Sequence, residues 1–232
     1  MNPINRTRRL LCGTALLSLA FSAMLSAASD APARLQAAAI ALKDVMSVPE
    51  KSIPQDLLNK AECIVIVPDL KKGAFIFGGK YGKGFFTCRK KSGVGWSAPG
   101  SVRIEGGSVG FQIGGTEMDI FMLVMNERGA DRLLSSKFTL GADATAAVGP
   151  VGRTAEAQTD ARMTAEILTW SRARGLFGGV ALNGATLRED SDWNKELYGK
   201  ELSNREIVTG NTPTPKAAMG LMNELDRYSS RK

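Results

Sequence analysis

At 232 residues the chain has room for one sizeable domain, and its 44% hydrophobic and 23% charged residues are those of a folded globular protein rather than a disordered one. Lys and Arg outnumber Asp and Glu by 30 to 23, a net charge of +7 that favours anionic partners. There is no histidine, which excludes Ser-His-Asp and Cys-His catalysis and nearly all catalytic zinc sites.

Residues 1–28 read as a signal peptide. Arg6, Arg8 and Arg9 form a positive leader, Leu10 to Leu25 an apolar run too short for a good membrane span, and Ser26-Ala27-Ala28 a small-residue cleavage site. The Arg8-Arg9 pair suits a twin-arginine leader as well as an ordinary one. Residues 29–232 are then a single exported domain, expected in the periplasm. Cleavage removes three arginines and no acid, leaving a net +4.

Ala33 to Met46 is expected as a helix, because Leu35, Ala38, Ala39, Leu42, Val45 and Met46 fall on one stripe. That stripe suits the protein's own core; a membrane-surface role is the alternative, weakened by the absence of Trp or Phe anchors. A second, short helix follows Pro54 through Leu57, Leu58 and Ala61, with Ser52 or its neighbour as cap. Ile64 to Val67 opens the β section. Ala74 to Phe77 and Phe85 to Thr87 are expected as strands flanking a glycine-rich hairpin connection, Gly78 to Gly84. Val102 to Glu105 is expected to turn at Gly106-Gly107 into a strand from Ser108 to Gly114, with Val109, Phe111 and Ile113 on one face and small residues on the other. Asp119 to Met125 reads as a buried central strand and Glu127 to Ser135 as a short helix. Gly141 to Gly152 can pack only by close backbone approach, and Ala165 to Ser171 and Leu176 to Leu182 supply further strands. Ser191 to Tyr198, Ser203 to Val208 and Pro215 to Tyr228 are helical.

Between Lys60 and Arg103 nine basic residues face two acids, Glu62 and Asp69, so this quarter of the chain carries a net +7 by itself. Lys71, Lys72, Lys80, Lys83, Arg89, Lys90 and Lys91 are the candidate contacts to an anionic partner. The bland alternative is a sheet edge blunted with lysines. Tyr81, Phe85, Phe86 and Trp96 among the lysines could stack nucleic-acid bases, but an exported protein seldom meets nucleic acid, and phospholipid head groups fit better. Cys63 and Cys88 suit either a disulfide in an oxidising compartment or two buried thiols; with no histidine they suit no zinc motif. Gly106 to Gly110 matches G-x-S-x-G only formally, since Ser108 has no histidine partner, and no phosphate-binding glycine loop is present. No catalytic residue, metal or cofactor is assigned.

The chain resembles the SYLF lipid-binding domain, also called the Ysc84 actin-binding domain, from about Leu35 to the last helix. The resemblance is carried by Ile53-Pro54, Leu57-Leu58 and Ala61; Pro68 and Lys72-Gly73; Gly78 to Gly84; Trp96-Ser97 and Pro99; Gly107 to Gly114; Leu140 to Asp143; Gly149 to Arg153; Gly175 to Val180; and Tyr198-Gly199. It implies a non-enzymatic, membrane-associated domain that binds anionic phospholipids through an N-terminal amphipathic helix and basic residues, with actin binding in some fungal members. The first helix here is poorer in bulky and basic residues than a strong membrane inserter.

These readings converge on an α+β domain: a bent, mostly antiparallel sheet, barrel-like in its closure, flanked by N-terminal and C-terminal helices. The expected function is binding of anionic phospholipid at the periplasmic membrane surface. The alternatives are an envelope structural or protein-interaction module and a carboxylate-dependent hydrolase.

Overall fold

The computed structural model describes residues 30–74, 77–109, 114–152, 165–173 and 175–229. The expected signal peptide, and the strand positions Phe111 and Ile113, lie outside them. Helix α1 (Asp30–Met46) and the short α2 (Gln55–Lys60) lead into strands β1 (Cys63–Ala74), β2 (Phe77–Cys88), β3 (Gly100–Val109) and β4 (Gly114–Val124). Then come α3 (Glu127–Leu133), β5 (Lys137–Thr139), β6 (Ala146–Val148), β7 (Ile167–Ala173), β8 (Leu176–Gly179) and β9 (Thr186–Glu189). Three helices finish the domain: α4 (Ser191–Tyr198), α5 (Asn204–Thr209) and α6 (Met219–Ser229).

The strands form one strongly curled, half-barrel sheet in the order β5-β9-β3-β2-β1-β4-β7-β6, with β8 beside the second half of β7. All pairs are antiparallel except β6 with β7. The expected α+β class, bent sheet and flanking helices are therefore observed.

Strand alternation sends side chains to two separate cores. On the helix face, Ile64, Ile66, Phe85, Phe121, Leu123, Leu168 and Trp170 pack with Leu35, Leu42 and Val45 of α1 and with Leu221 and Leu225 of α6. On the inner face, Val65, Val67, Phe86, Val102, Ile104, Ile120, Met122 and Leu187 meet Leu133, Phe138 and Leu140, which close the curl. The apolar stripe of α1 is thus core, with Leu35, Ala38 and Leu42 at most 1% exposed. Two ion pairs fix the helix to the sheet: Arg34 to Asp69 at 2.9 Å and Asp44 to Arg172 at 2.6 Å. Arg172 also holds the buried carboxylate of Asp119, which accepts from the Asp69 amide. That acceptance stabilises Asp69 in a left-handed conformation, φ 50°, inside the β1 bulge.

Several local expectations need correction. Gly78 to Gly84 is no hairpin connection: β2 runs unbroken through it, and the β1–β2 pairing extends to Ala74 opposite Gly78. Gly82 and Gly84 serve packing instead. A Cβ on Gly84 would lie 2.2 Å from the Ile66 carbonyl oxygen, because the bulged β1 presses directly on that position. Gly106-Gly107 is likewise strand, paired with Lys80 and Gly79 rather than turning. Pro54, not Ser52, stands at the N-cap of α2, without a side-chain cap. β5 and β9 were not anticipated at all.

Cys63 and Cys88 are directly opposite on β1 and β2, Cα atoms 3.9 Å apart, and are joined by a disulfide.

Candidate functional site

The register of the sheet sorts the seven expected cations into different environments. Beyond the β1 bulge, Leu70 faces the inner core, so Lys72, two residues on, faces the same way. β2 is regular against β3, which places Lys80 on the inner side with Phe86. Lys72 and Lys80 are directly opposite each other, in a rung completed by Thr116 on β4 and Gly106 on β3. Both are half-buried, and among the described residues no acid lies within ion-pairing distance of either. Burial, reinforced by the neighbouring Lys72 ammonium, holds the Lys80 ammonium below the ordinary lysine range. Like charges opposite each other across a ladder are unfavourable, so among the described residues this rung carries positive charge without a counter-charge.

On the other side of the sheet the adjacent rung contains Glu117, Lys71, Tyr81 and Glu105. Lys71 is exposed and reaches Glu117 at 3.8 Å; Tyr81 is 49% exposed. Two positions further along β2, the register sets Lys83, Arg103, Arg188 and Lys137 side by side on β2, β3, β9 and β5. Acids moderate this row. Lys83 meets the buried Asp190 carboxylate at 2.8 Å and lies 4.6 Å above the Trp193 ring, while Glu105 bridges Arg103 and Arg188 at 2.8 and 3.1 Å. Arg188 and Lys137 were missed as members of the basic surface because they are remote in sequence. The outward alternation of Arg188 beside the inward Leu187 was a local signal for the former, but the register alone joins it to Lys83.

Arg89 is corrected from the surface to the interior. Its guanidinium is buried, 3.7 Å over the Trp96 ring, and donates to the carbonyls of Leu58, Ala61 and Ser229 and to the Ser229 hydroxyl. One cation thereby serves the C-terminal ends of both α2 and α6, where unpaired carbonyls concentrate negative partial charge. Trp96 Nε1 also donates to the Ser229 carbonyl, at 3.1 Å. Lys90 and Lys91 are exposed at the opposite end of β2, ten or more residues from Lys80, which is about 30 Å along a strand. The seven residues therefore make no single patch. Lys71, Lys72 and Lys80 share one end of the sheet, with Tyr81 among them.

Residues 105–228 match the Ysc84 family, described as Las17-binding protein actin regulator. The chain belongs to the Ysc84 family. A human relative, SH3 domain-containing YSC84-like protein 1, is 33% identical over 184 residues, 79% of this chain and 53% of that protein. An SH3 domain-containing protein of Schizosaccharomyces pombe is 36% identical over 173 residues, covering 73% of this chain and 40% of the relative. Protein YSC84 of Saccharomyces cerevisiae is 32% identical over 181 residues, 76% and 38% of the two chains. This Ysc84-family chain thus spans about half the length, or less, of these relatives. The family description is of a binding protein, in line with the SYLF resemblance and with a binding module as the coarse function. The family match starts in β3, so the β1–β2 lysines lie before it.

Proposed function

We propose that this protein is a non-enzymatic module that docks on anionic phospholipid surfaces at the periplasmic side of the cell envelope, through the β1–β2 end of its sheet. The observation that carries the reading is the Lys72–Lys80 rung: two half-buried ammonium groups face each other with no acidic partner among the described residues. An anionic head group supplies the missing counter-charge, and Thr116 and Gly106 flank the pair without bulk or negative charge. At the same end of the sheet, on its opposite face, Lys71 adds charge that Glu117 moderates, and Tyr81 adds an amphipathic ring suited to a membrane interface. Each lysine near such a surface contributes about 1 kcal/mol. The contact does not use the apolar face of α1, which is buried in the core. The non-enzymatic part rests on the lack of histidine and on the binding description of the family.

The family description favours a second reading, a protein-interaction module of the envelope. Flotation of the purified protein with phosphatidylglycerol-containing and pure phosphatidylcholine vesicles separates the two. Recovery with the anionic vesicles, falling as salt rises, is expected. No recovery on either, with a protein partner copurifying instead, favours the second reading; equal recovery on both also overturns the proposal.

A further inference from the structure

A recess of about 730 Å³ lies where α3, the turn at Gly141–Thr145 and the start of β7 meet, and the basic end of the sheet contributes none of its lining. Its floor is the carboxylate of Glu166, whose side chain is 7% exposed. Glu166 Oε2 accepts from the Thr145 amide at 2.9 Å, and the Glu166 amide donates to Thr145 Oγ1 at 3.0 Å, so the carboxylate is fixed from below. Helix α3 lies directly above: a Cβ on Gly129 would come within 2.8 Å of Val124 and 3.2 Å of the Glu166 carbonyl oxygen. Arg128 and Arg132, one helical turn apart on α3, both point their Nε atoms at Glu166 Oε1 from 3.8 Å. That is beyond hydrogen-bond reach, and one carboxylate oxygen cannot satisfy two guanidiniums. Among the described residues neither guanidinium has a hydrogen-bond acceptor, and both line the recess, Arg128 being 78% and Arg132 40% exposed.

The other charged groups lining it are the carboxylates of Asp143 and Glu127. Among the described residues no three metal-ligating side chains gather closely enough to hold a metal ion, so the acids do not form a cation cage. Two guanidiniums and two further acids share one small space. A simple anion is repelled by Asp143 and Glu127, and a simple cation by the arginines. A ligand with both signs a few atoms apart meets neither penalty.

We propose that this recess binds a small zwitterion, its oxyanion on Arg128 and Arg132 and its ammonium toward Asp143 and Glu127. The ligand class is an amine joined to a carboxylate or phosphate through one to three atoms. Such a group comes from a free amino acid or from an ethanolamine phosphate head group. The site is independent of the Lys72–Lys80 reading, since the two share no residue and ask for different charge.

Calorimetric titration of the full chain with O-phosphoethanolamine and with L-alanine, against inorganic phosphate and ethylammonium chloride, tests it. At least one zwitterion is expected to bind at least about tenfold more tightly than either single-charge control, and Arg132→Gln to weaken it by about tenfold or more, as expected for losing a charge-assisted hydrogen bond. Asp143→Asn keeps an acceptor for the Thr139 amide, which now donates to Asp143 Oδ2, and should abolish the preference for the zwitterion over inorganic phosphate. Flotation with phosphatidylethanolamine vesicles assigns the source. Recovery that soluble O-phosphoethanolamine competes away supports the site and names a lipid head group; binding of L-alanine without vesicle recovery supports the site and names a free amino acid. Failure of both soluble zwitterions to bind overturns the proposal, as does unchanged affinity in Arg132→Gln and Asp143→Asn proteins whose thermal melting matches the wild type.

Discussion

Single residues in this domain divide between those the fold consumes and those it leaves over, and Arg89 and Lys80 show the two cases. Arg89 lies in the same lysine- and arginine-rich run as Lys90 and Lys91, yet its guanidinium is buried against Trp96 and satisfies carbonyls from two helix ends. Replacing it by Ala strands those buried acceptors and is expected to cost about 3 kcal/mol in urea unfolding, without changing vesicle affinity per folded molecule. Lys80 is the reverse: its ammonium is held below the ordinary lysine value of 10.5 by burial and by Lys72. The charged form is therefore disfavoured in the folded state. As pH rises from the lowered folded value toward 10.5, the unfolded chain keeps this proton while the folded one releases it, so stability rises in that window. Subtracting the stability profile of Lys80→Gln from that of the wild type should reveal this rise; a flat difference contradicts the assigned environment. Binding to an anionic surface, which needs the charged form, should weaken over the same window.

Among the elements, the disulfide gives a direct prediction. Cys63 and Cys88 are 25 residues apart and bridge β1 to β2 at the end remote from Lys72 and Lys80. The double variant Cys63→Ser/Cys88→Ser should lose about 3.5 kcal/mol of stability by the loop-closure relation, while keeping its vesicle affinity. Helix α1 gives another. Its apolar residues are core and its ends are tied down by Arg34–Asp69 and Asp44–Arg172, so its amides should stay protected from hydrogen exchange when the protein is on vesicles. Loss of that protection on binding would show that the helix leaves the core, as the resemblance implied. The helices were legible in the sequence because Leu35, Leu42 and Val45, or Leu221 and Leu225, keep the spacing of a single buried stripe. The glycine-rich segments were not. Glycine signals both a turn and close approach within a strand, and only the bulge of β1 over Gly82 and Gly84 decides for the latter. β5 and β9, three and four residues long, are too short to show a period.

For the molecule as a whole, the sheet's curl and register determine which charges act together. The basic residues cluster in one stretch of the chain, but the sequence could not say how the fold distributes them in space. Alternation sends Lys72 and Lys80 inward while Lys71 and Lys83 point to the helix side, and Lys90 and Lys91 lie just past the far end of β2, about 30 Å away. The row of Lys83, Arg103, Arg188 and Lys137 exists only through long-range pairing, and Asp190 and Glu105 balance much of it. In the proposed reading the Lys72–Lys80 rung, which has no acidic partner among the described residues, is what would distinguish an anion-binding end from a generally basic surface. The most direct measurement compares flotation of Lys72→Gln/Lys80→Gln with that of Lys90→Gln/Lys91→Gln on the same anionic vesicles. The two variants remove the same charge from opposite ends of one strand pair. The first should lower partitioning about thirtyfold, the equivalent of about 2 kcal/mol, and the second should change it little. Equal losses in both variants, or the larger loss in the second, contradict an anion-binding site at the β1–β2 end.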